Sequence, residues 1–406
     1  MVPNVTAKKN AGNEPGGVEN GLTKSDRGRV YMKGSVHQRS KGSYQLRYEG
    51  PPDGTGKRKY LSETVRGTKK EAERVLRERL AAIESGGYVP KHKETVRDFM
   101  QRWLDTYASA NITLRTLHGY RGYVKRYLDP TIGGVALQNL TPRHIQGVYA
   151  DMLERGLSNT TVVQLHRIVR EDLSHAVKWG ILTRNPADAT APPKVQHKEI
   201  EMWDVDTIQR FMEGGKESRF GDLYPLAILT GLRRSELCGL KWEHVDLMRG
   251  RLSVVRTLQR ITGYGLVEGQ PKTQKSRRSI ALSPEAIDIL HAIRNQQMAQ
   301  QLEAGPVWQS TGYVFTQIDG SPLAPDMISK DFCAFVRKAG LPHLTFHGLR
   351  HAHATLLLTD GVHLKIVSER LGHSNIAITA DTYSHVLPGL QEQAVLGLDQ
   401  RLFKRK

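Results

Sequence analysis

Four short stretches in the second half of the chain hold the residues whose types and spacing could do chemistry. In LTGLRRSELCGLKWEHVD (229–246), Gly231 stops one helix and RRSEL begins another, so Arg233 projects from a helix start. An arginine there offers a planar fork suited to two phosphate oxygens. Glu236, three residues on, lies on the same face and can hold that guanidinium, although such a pair in isolation is an ordinary surface ion pair. In EGQPKTQKSRRSIALS (268–283), Lys272 sits in a turn between strand-like runs, with Lys275, Arg277 and Arg278 close by. A turn-tip lysine can protonate an oxygen leaving phosphorus, whereas an isolated charged loop is simply solvated. In LTFHGLRHAHATLLL (344–358), His347 and Arg350 are three apart and face one pocket, while ATLLL buries the opposite side. His347, His351 and His353 raise the question of a metal, but position 348 is Gly, not the Glu of an HExxH helix, and the spacing suits no common zinc set. In LGHSNIAITADTYSHV (371–386), Gly372-His373 ends the helix formed by KIVSERL, and Tyr383 follows ten residues after His373. A lone tyrosine there is ordinarily a packed aromatic.

The set suits in-line attack on a phosphodiester with no metal and no cofactor. Arg233 and Arg350 would neutralise charge developing on a pentacoordinate phosphorus. Tyrosine is a weak nucleophile at its reference pKa of about 10, so it needs a cationic pocket and a base, for which His347 is the candidate. His373 could donate a hydrogen bond to a non-bridging oxygen.

The elements that must position these groups follow from pattern and composition. The chain has 406 residues, room for two or three domains. Fifty-nine Lys and Arg against 41 Asp and Glu, a net +18, point to a polyanionic partner. No apolar run is long enough to span a membrane, and the N-terminus has no apolar signal core, so a cytoplasmic protein is expected. The two cysteines, Cys238 and Cys333, have no CxxC partner, which fits a reducing compartment. Residues 1–27 read as a disordered leader. Within 28–90, runs GSVHQR, SYQLRYEG and KRKYLSET predict three short strands, followed by a charged helix from Thr68 to Ser85. Between Lys24 and Leu80, 16 Lys and Arg face 7 Asp and Glu, so this small α+β domain is expected to lay Arg39, Lys41, Arg47, Lys57, Arg58 and Lys59 against duplex DNA. Residues 94–185 predict an all-α domain: Val96, Phe99, Trp103 and Tyr107 share a face, and Thr141-Pro142 opens a helix closed by Gly156. After Asn159, Val162, Leu165, Val169, Leu173 and Ala176 form a stripe. Arg115, Arg121, Lys125 and Arg143 are its candidate backbone contacts. The Pro-rich stretch 186–199 reads as a linker, 200–390 as a mainly helical domain with a small antiparallel sheet near Leu252–Leu282, and 391–406 as a C-terminal segment. Lys275, Arg277 and Arg278 complete the candidate DNA contacts.

At these residues the sequence resembles the tyrosine recombinase (phage integrase) family. That family has an Arg in TGxRxxE, a Lys in a β-turn, HxxR, a later LGH and a Tyr about ten residues on; Arg233 with Glu236, Lys272, His347 with Arg350, His373 and Tyr383 stand here in that order. The resemblance implies a three-domain integrase fold: an arm-binding-like sheet domain, a helical core-binding domain and a catalytic domain. It implies cleavage by Tyr383 through a 3′-phosphotyrosyl bond, with Lys272 protonating the 5′-oxygen and no ATP required. It also implies two strand exchanges through a Holliday junction, in a homotetramer on core-type and arm-type sites of a phage or mobile element. A host DNA-bending factor and an excisionase are the implied helpers, and 391–406 would dock on a neighbouring protomer. The alternatives are a type IB topoisomerase and a DNA-binding regulator on a decayed scaffold; the LGH spacing and the intact residue set argue against them.

Overall fold

The computed structural model describes residues 34–52, 56–90, 92–196, 203–215, 218–271 and 276–383, together with 395, 399 and 402. The expected leader 1–27, Lys272, Lys275, the end of the Pro-rich stretch and most of the C-terminal segment lie outside these residues. The chain opens with strands β1 (Gly34–Ser40), β2 (Ser43–Pro52) and β3 (Arg58–Arg66) and helix α1 (Lys69–Glu84). Helices α2 (Val96–Trp103), α3 (Ser109–Asn111), α4 (Leu114–Tyr123), α5 (Pro142–Glu154) and α6 (Asn159–Lys178) follow, with π-helical turns at Leu104–Ala108 and Val124–Leu128. Next come α7 (Val205–Gly215), α8 (Leu223–Thr230), α9 (Arg234–Cys238) and the strands β4 (Val245–Asp246), β5 (Arg251–Val254), β6 (Thr257–Ile261), β7 (Gly265–Gly269) and β8 (Arg278–Ala281). The last helices are α10 (Pro284–Ala304), α11 (Pro325–Lys338), α12 (Phe346–Thr359), α13 (Leu364–Leu371) and α14 (Ile376–Tyr383).

By compactness the chain divides into two units, residues 1–102 with 127–193 and residues 103–126 with 194–406. The helical stretch expected as one domain over 94–185 falls into both units, 103–126 in the second and the rest in the first.

In the first unit β1, β2 and β3 form an antiparallel sheet in that order. Alternation along β2 sends Leu46 and Tyr48 inward, against Ala72, Leu76 and Ile83 of α1, and leaves Arg47 on the outer face. Thr68 caps α1 reciprocally with Glu71, satisfying two of the orphan donors at the helix start. α5 begins at Thr141-Pro142 and ends before the left-handed Gly156, while α6 buries Val162, Leu165, Val169, Leu173 and Ala176. The Pro-rich stretch begins inside the fold, not as a free linker: Pro186–Ala189 forms a 3-10 turn capped by the Asn185 side chain, with Pro186 and Ala187 buried.

The second unit has one large core. Phe211, Tyr224, Phe332 and Phe346 pack ring on ring at 5.5–5.6 Å, each burial contributing roughly 1.5–3 kcal/mol. Two small antiparallel sheets, β4-β5-β8 and β6-β7, occupy the region where strands were expected.

Gly231 ends α8 at φ +65°, a left-handed conformation that disfavours a side chain, and a Cβ there would meet the His353 ring at 2.4 Å. Gly263, in the β6–β7 turn, has φ +83° and nothing within 4 Å of its missing Cβ. Gly263→Ala should therefore cost about 1–2 kcal/mol from backbone strain alone. Gly231→Ala should cost at least about 1 kcal/mol more, for the added collision. Urea unfolding of both variants checks this; equal losses would show that His353 imposes no constraint at Gly231.

Candidate active site

Arg233 stands at the N-cap of α9, where its backbone N–H and its Nη1 both donate to the Glu236 carboxylate, at 2.9 and 2.8 Å. Glu236 is almost wholly buried and accepts a second guanidinium: Arg278, on β8, donates from Nη1 and Nη2 at 3.2 and 2.9 Å. Burial alone would raise this carboxyl. Arg278, Arg233 and the backbone bond outweigh it, and the group rests below the ordinary carboxylate range. The Arg233–Glu236 pair, which in isolation reads as a surface contact, is therefore anchored from within: the carboxylate is buried while the Arg233 side chain stays 34% exposed.

Arg350 is itself 3% exposed, and donates to the Gly231 carbonyl at 2.8 Å and the Leu371 carbonyl at 2.6 Å, the C-terminal ends of α8 and α13. Burial, and then the nearby Arg233, pull its pKa down to about 9, which leaves it a cation at neutral pH. Arg233 Nη2 reaches the Gly372 carbonyl at 3.4 Å, so the helix end that presents His373 is tied to the first arginine. Gly372 adopts φ +68°, and a Cβ there would lie 2.8 Å from Arg278 Nη1. His373 Nδ1 bonds the buried Thr379 hydroxyl at 2.7 Å. Burial, then Arg350 and Arg233, hold His373 down at about 4.

Arg233 stands between two clefts. One, of about 540 Å³, is lined by Arg115, Arg233, Arg234, Gln259, Arg260 and His347, among others. The other, of about 500 Å³, is lined by Arg233, Glu236, Gln270, Ser276 and His373. His347 is exposed at the first cleft; burial of its ring, then His351, Arg350 and Arg233, keep it below the usual histidine range.

Tyr383, the last residue of α14, is 1% exposed among Ala354, Leu358, Val367 and Leu371. Burial pushes its phenol up to about 12, against the pull of the Arg350 guanidinium. Its hydroxyl bonds His351 Nδ1 at 2.8 Å, not His347. The His351 and His347 rings meet at right angles, 4.9 Å between centroids. His353 points elsewhere, accepting from Arg370 Nε at 3.1 Å, so the three histidines do not converge. His351 entered the sequence reading only through the metal question. Its place next to Arg350, one helical turn beyond His347, was the available signal.

Residues 201–389 match the phage integrase family, and 95–153 match the N-terminal SAM-like domain of phage integrases. Over 346 residues the chain is 33% identical to the "Tyrosine recombinase XerC-like" protein of Caldanaerobacter subterraneus subsp. tengcongensis, covering 81% of this chain and 88% of that one. The chain belongs to the phage integrase family. Its activity is site-specific cleavage and rejoining of DNA. The fold of this integrase is shared with the Tn1549 transposon integrase (residues 82–397) in complex with a circular-intermediate DNA, at TM-score 0.64 and 21% identity over 75% of this chain and 99% of that one. It is shared too with lambda integrase, solved as a tetramer bound to a Holliday junction, at TM-score 0.55 and 18% identity over 86% and 94%.

Among the integrase's expected DNA contacts, one is corrected. Arg278 has its side chain 6% exposed; besides Glu236 it donates to the Arg370 carbonyl at 2.6 Å and the Ser276 carbonyl at 3.1 Å, so it faces the interior. Arg277 is exposed and bonds Gln270. Arg39 bonds Gln45 at 2.9 Å, Arg47 lies over the exposed Tyr60 ring at 5.2 Å, and Arg58 pairs with Glu49 at 3.8 Å, all on the sheet; Lys41, Lys57 and Lys59 are exposed beside them. Arg121 pairs with Asp105 at 2.8 Å, and Arg115, Lys125 and Arg143 are exposed.

His353 is 5% exposed, and burial, then Arg370, lower its pKa to about 3. The unfolded chain takes up that proton near pH 6.5, so the stabilisation is complete above that pH and is lost as pH falls towards 3. The melting temperature should drop between pH 7 and pH 5, and His353→Gln should show a shallower drop. Parallel slopes for the two proteins would contradict the assignment.

Proposed function

We propose that this integrase cuts its attachment sites with Tyr383 as nucleophile, in a pocket formed by Arg233, Lys272, His347, Arg350 and His373, with Glu236 holding Arg233 in place. The observation that carries the reading is the position of Tyr383: the phenol lies within the field of Arg350, and Arg350 and Arg233 both act on His347 and on His373. The tyrosyl oxygen forms a bond to the scissile phosphorus, and the bond to the 5′-oxygen breaks. Arg233 and Arg350 balance the added negative charge, and Lys272 gives the 5′-oxygen its proton. The 5′-hydroxyl of the partner duplex then attacks the phosphotyrosine, so the bond energy is kept and the strand is rejoined. Two such exchanges pass through a Holliday junction in a homotetramer. A phage or an integrative mobile element, in the cytoplasm of a bacterial host, is the setting that suits this activity. Among the described residues no helix is long and apolar enough to cross a membrane.

The outer face of the N-terminal sheet, with Arg39, Arg47, Arg58 and Tyr60, is the surface we assign to arm-type sites. The helical residues around Arg115, Arg121, Lys125 and Arg143 are assigned to core-type sites, with a host bending factor and an excisionase as helpers. Val395 and Leu402 are exposed apolar residues in helical conformation, which favours docking of the C-terminal segment on a neighbouring protomer.

Incubating the protein with a nicked half-site and resolving covalent adducts tests the central assignment. Wild type should give a protein–DNA adduct and Tyr383→Phe none, while both bind DNA equally in a gel shift; an adduct with Tyr383→Phe would overturn it. Arg47→Ala should weaken arm-type binding while leaving core-type cleavage intact, and should lower the salt dependence of that binding by about one released counterion. An unchanged salt slope would move the arm surface elsewhere.

A further inference from the structure

The phenol of Tyr383 has one hydrogen-bond partner among the described residues, His351 Nδ1 at 2.8 Å. Ala354, Leu358, Val367 and Leu371 pack around its ring, and the Arg350 guanidinium acts on it electrostatically. His347, which the spacing of HxxR singles out, bonds no described residue and lies open to the cleft that Arg233 and Ser235 line. The two imidazoles are one helical turn apart on α12 and meet edge to face, so they present themselves to different atoms: His347 to the cleft and His351 to the tyrosine.

We propose that His351 is a catalytic residue of the cleavage step, the acceptor that takes the proton of Tyr383 as the phenolic oxygen bonds to phosphorus. The inference rests on Tyr383 being the nucleophile. In the forward step the Tyr383 O–H bond breaks and its proton passes to His351 Nδ1, giving an imidazolium. The Oη–P bond forms, the P–O5′ bond breaks, and the departing oxygen receives its proton from Lys272. On rejoining, the 5′-hydroxyl gives its proton back to Lys272 as the O5′–P bond forms, and His351 returns its proton to the phenolate as the Oη–P bond breaks.

The surroundings of His351 suit this traffic. Burial and the adjacent Arg350 hold it below the usual histidine range, so it enters the step neutral, with a lone pair available at Nδ1. A buried phenol does not give up its proton to such a weak base beforehand; the transfer becomes favourable only as Oη acquires its bond to phosphorus, which couples proton loss to attack. An imidazolium beside Arg350 is then poised to give the proton back, as a reversible reaction requires.

The test uses the full chain and a nicked half-site duplex carrying a core site selected with the purified protein. The duplex is made once with an ordinary scissile phosphate and once with sulfur in place of the 5′-bridging oxygen, a leaving group that needs no proton. His351→Gln can accept the tyrosine's hydrogen bond but cannot carry its proton. It should bind the half-site like wild type and form adduct about 100-fold or more slowly on both duplexes. Lys272→Ala should recover on the sulfur substrate. His351→Ala should be slow on both duplexes and should speed up with added imidazole. Adduct formation by His351→Gln within threefold of wild type would overturn the proposal. So would recovery of His351→Gln on the sulfur duplex, since that would put His351 on the leaving-group side. An adduct with Tyr383→Phe in the same assay would instead remove the nucleophile assignment, a separate failure.

Discussion

The buried carboxylate of Glu236 is the constraint on which the site depends. It accepts bonds from Arg233 on its own helix start and from Arg278 on β8, and it has almost no access to water. Taking a carboxylate out of water costs several kcal/mol, and two guanidinium groups in hydrogen-bonding geometry offset that cost. Removing either arginine leaves the buried charge only partly compensated. The arrangement therefore locks α9, β8 and the Gly372 turn into one relative position, and Arg233 is held there before any phosphate arrives.

The same logic recurs where helices end. Arg350 and Arg370 donate to carbonyls at the C-termini of α8 and α13, Gly231 and Leu371 in one case and Leu229 in the other. Helix C-termini carry unpaired carbonyls and partial negative charge, so buried cations are at home there. Gly231 and Gly372 let the chain turn away sharply enough for those carbonyls to face the arginines. The result is a cluster of fixed positive charge whose outward donors face two clefts. That is the preorganised electrostatics that stabilises charge developing on a phosphoryl group. The histidines stay neutral in this field because burial and neighbouring cations both oppose their protonation.

Much of the fold was legible in the linear pattern. The alternation in SYQLRYEG, the Thr68–Glu71 cap, the Thr141-Pro142 start and the apolar stripe of α6 are local signals, and the corresponding elements lie where those signals put them. What the pattern could not show depends on packing between distant parts. Residues 103–126 group with the C-terminal half, and Pro186 and Ala187 are buried where composition suggested a free linker. Neither outcome has a local signature, since turn-forming residues pack inside a fold as readily as they span a gap.

The sequence by itself determined the inventory of the site: two arginines, two histidines four apart on a helix, a glycine-histidine helix stop and a tyrosine ten residues later. It could do so because each is announced by neighbours within a few positions. Only the tertiary structure decided which of these groups touch. Arg278 was indistinguishable from Arg277 in the chain, yet one turns inward to Glu236 and the other outward to solvent. His351 looked like a bystander to His347 until the packing of α14 brought the Tyr383 hydroxyl to its Nδ1. Side-chain partners more than 30 residues away are set by how helices and strands pack, and that packing is a property of the whole core, not of any window of sequence.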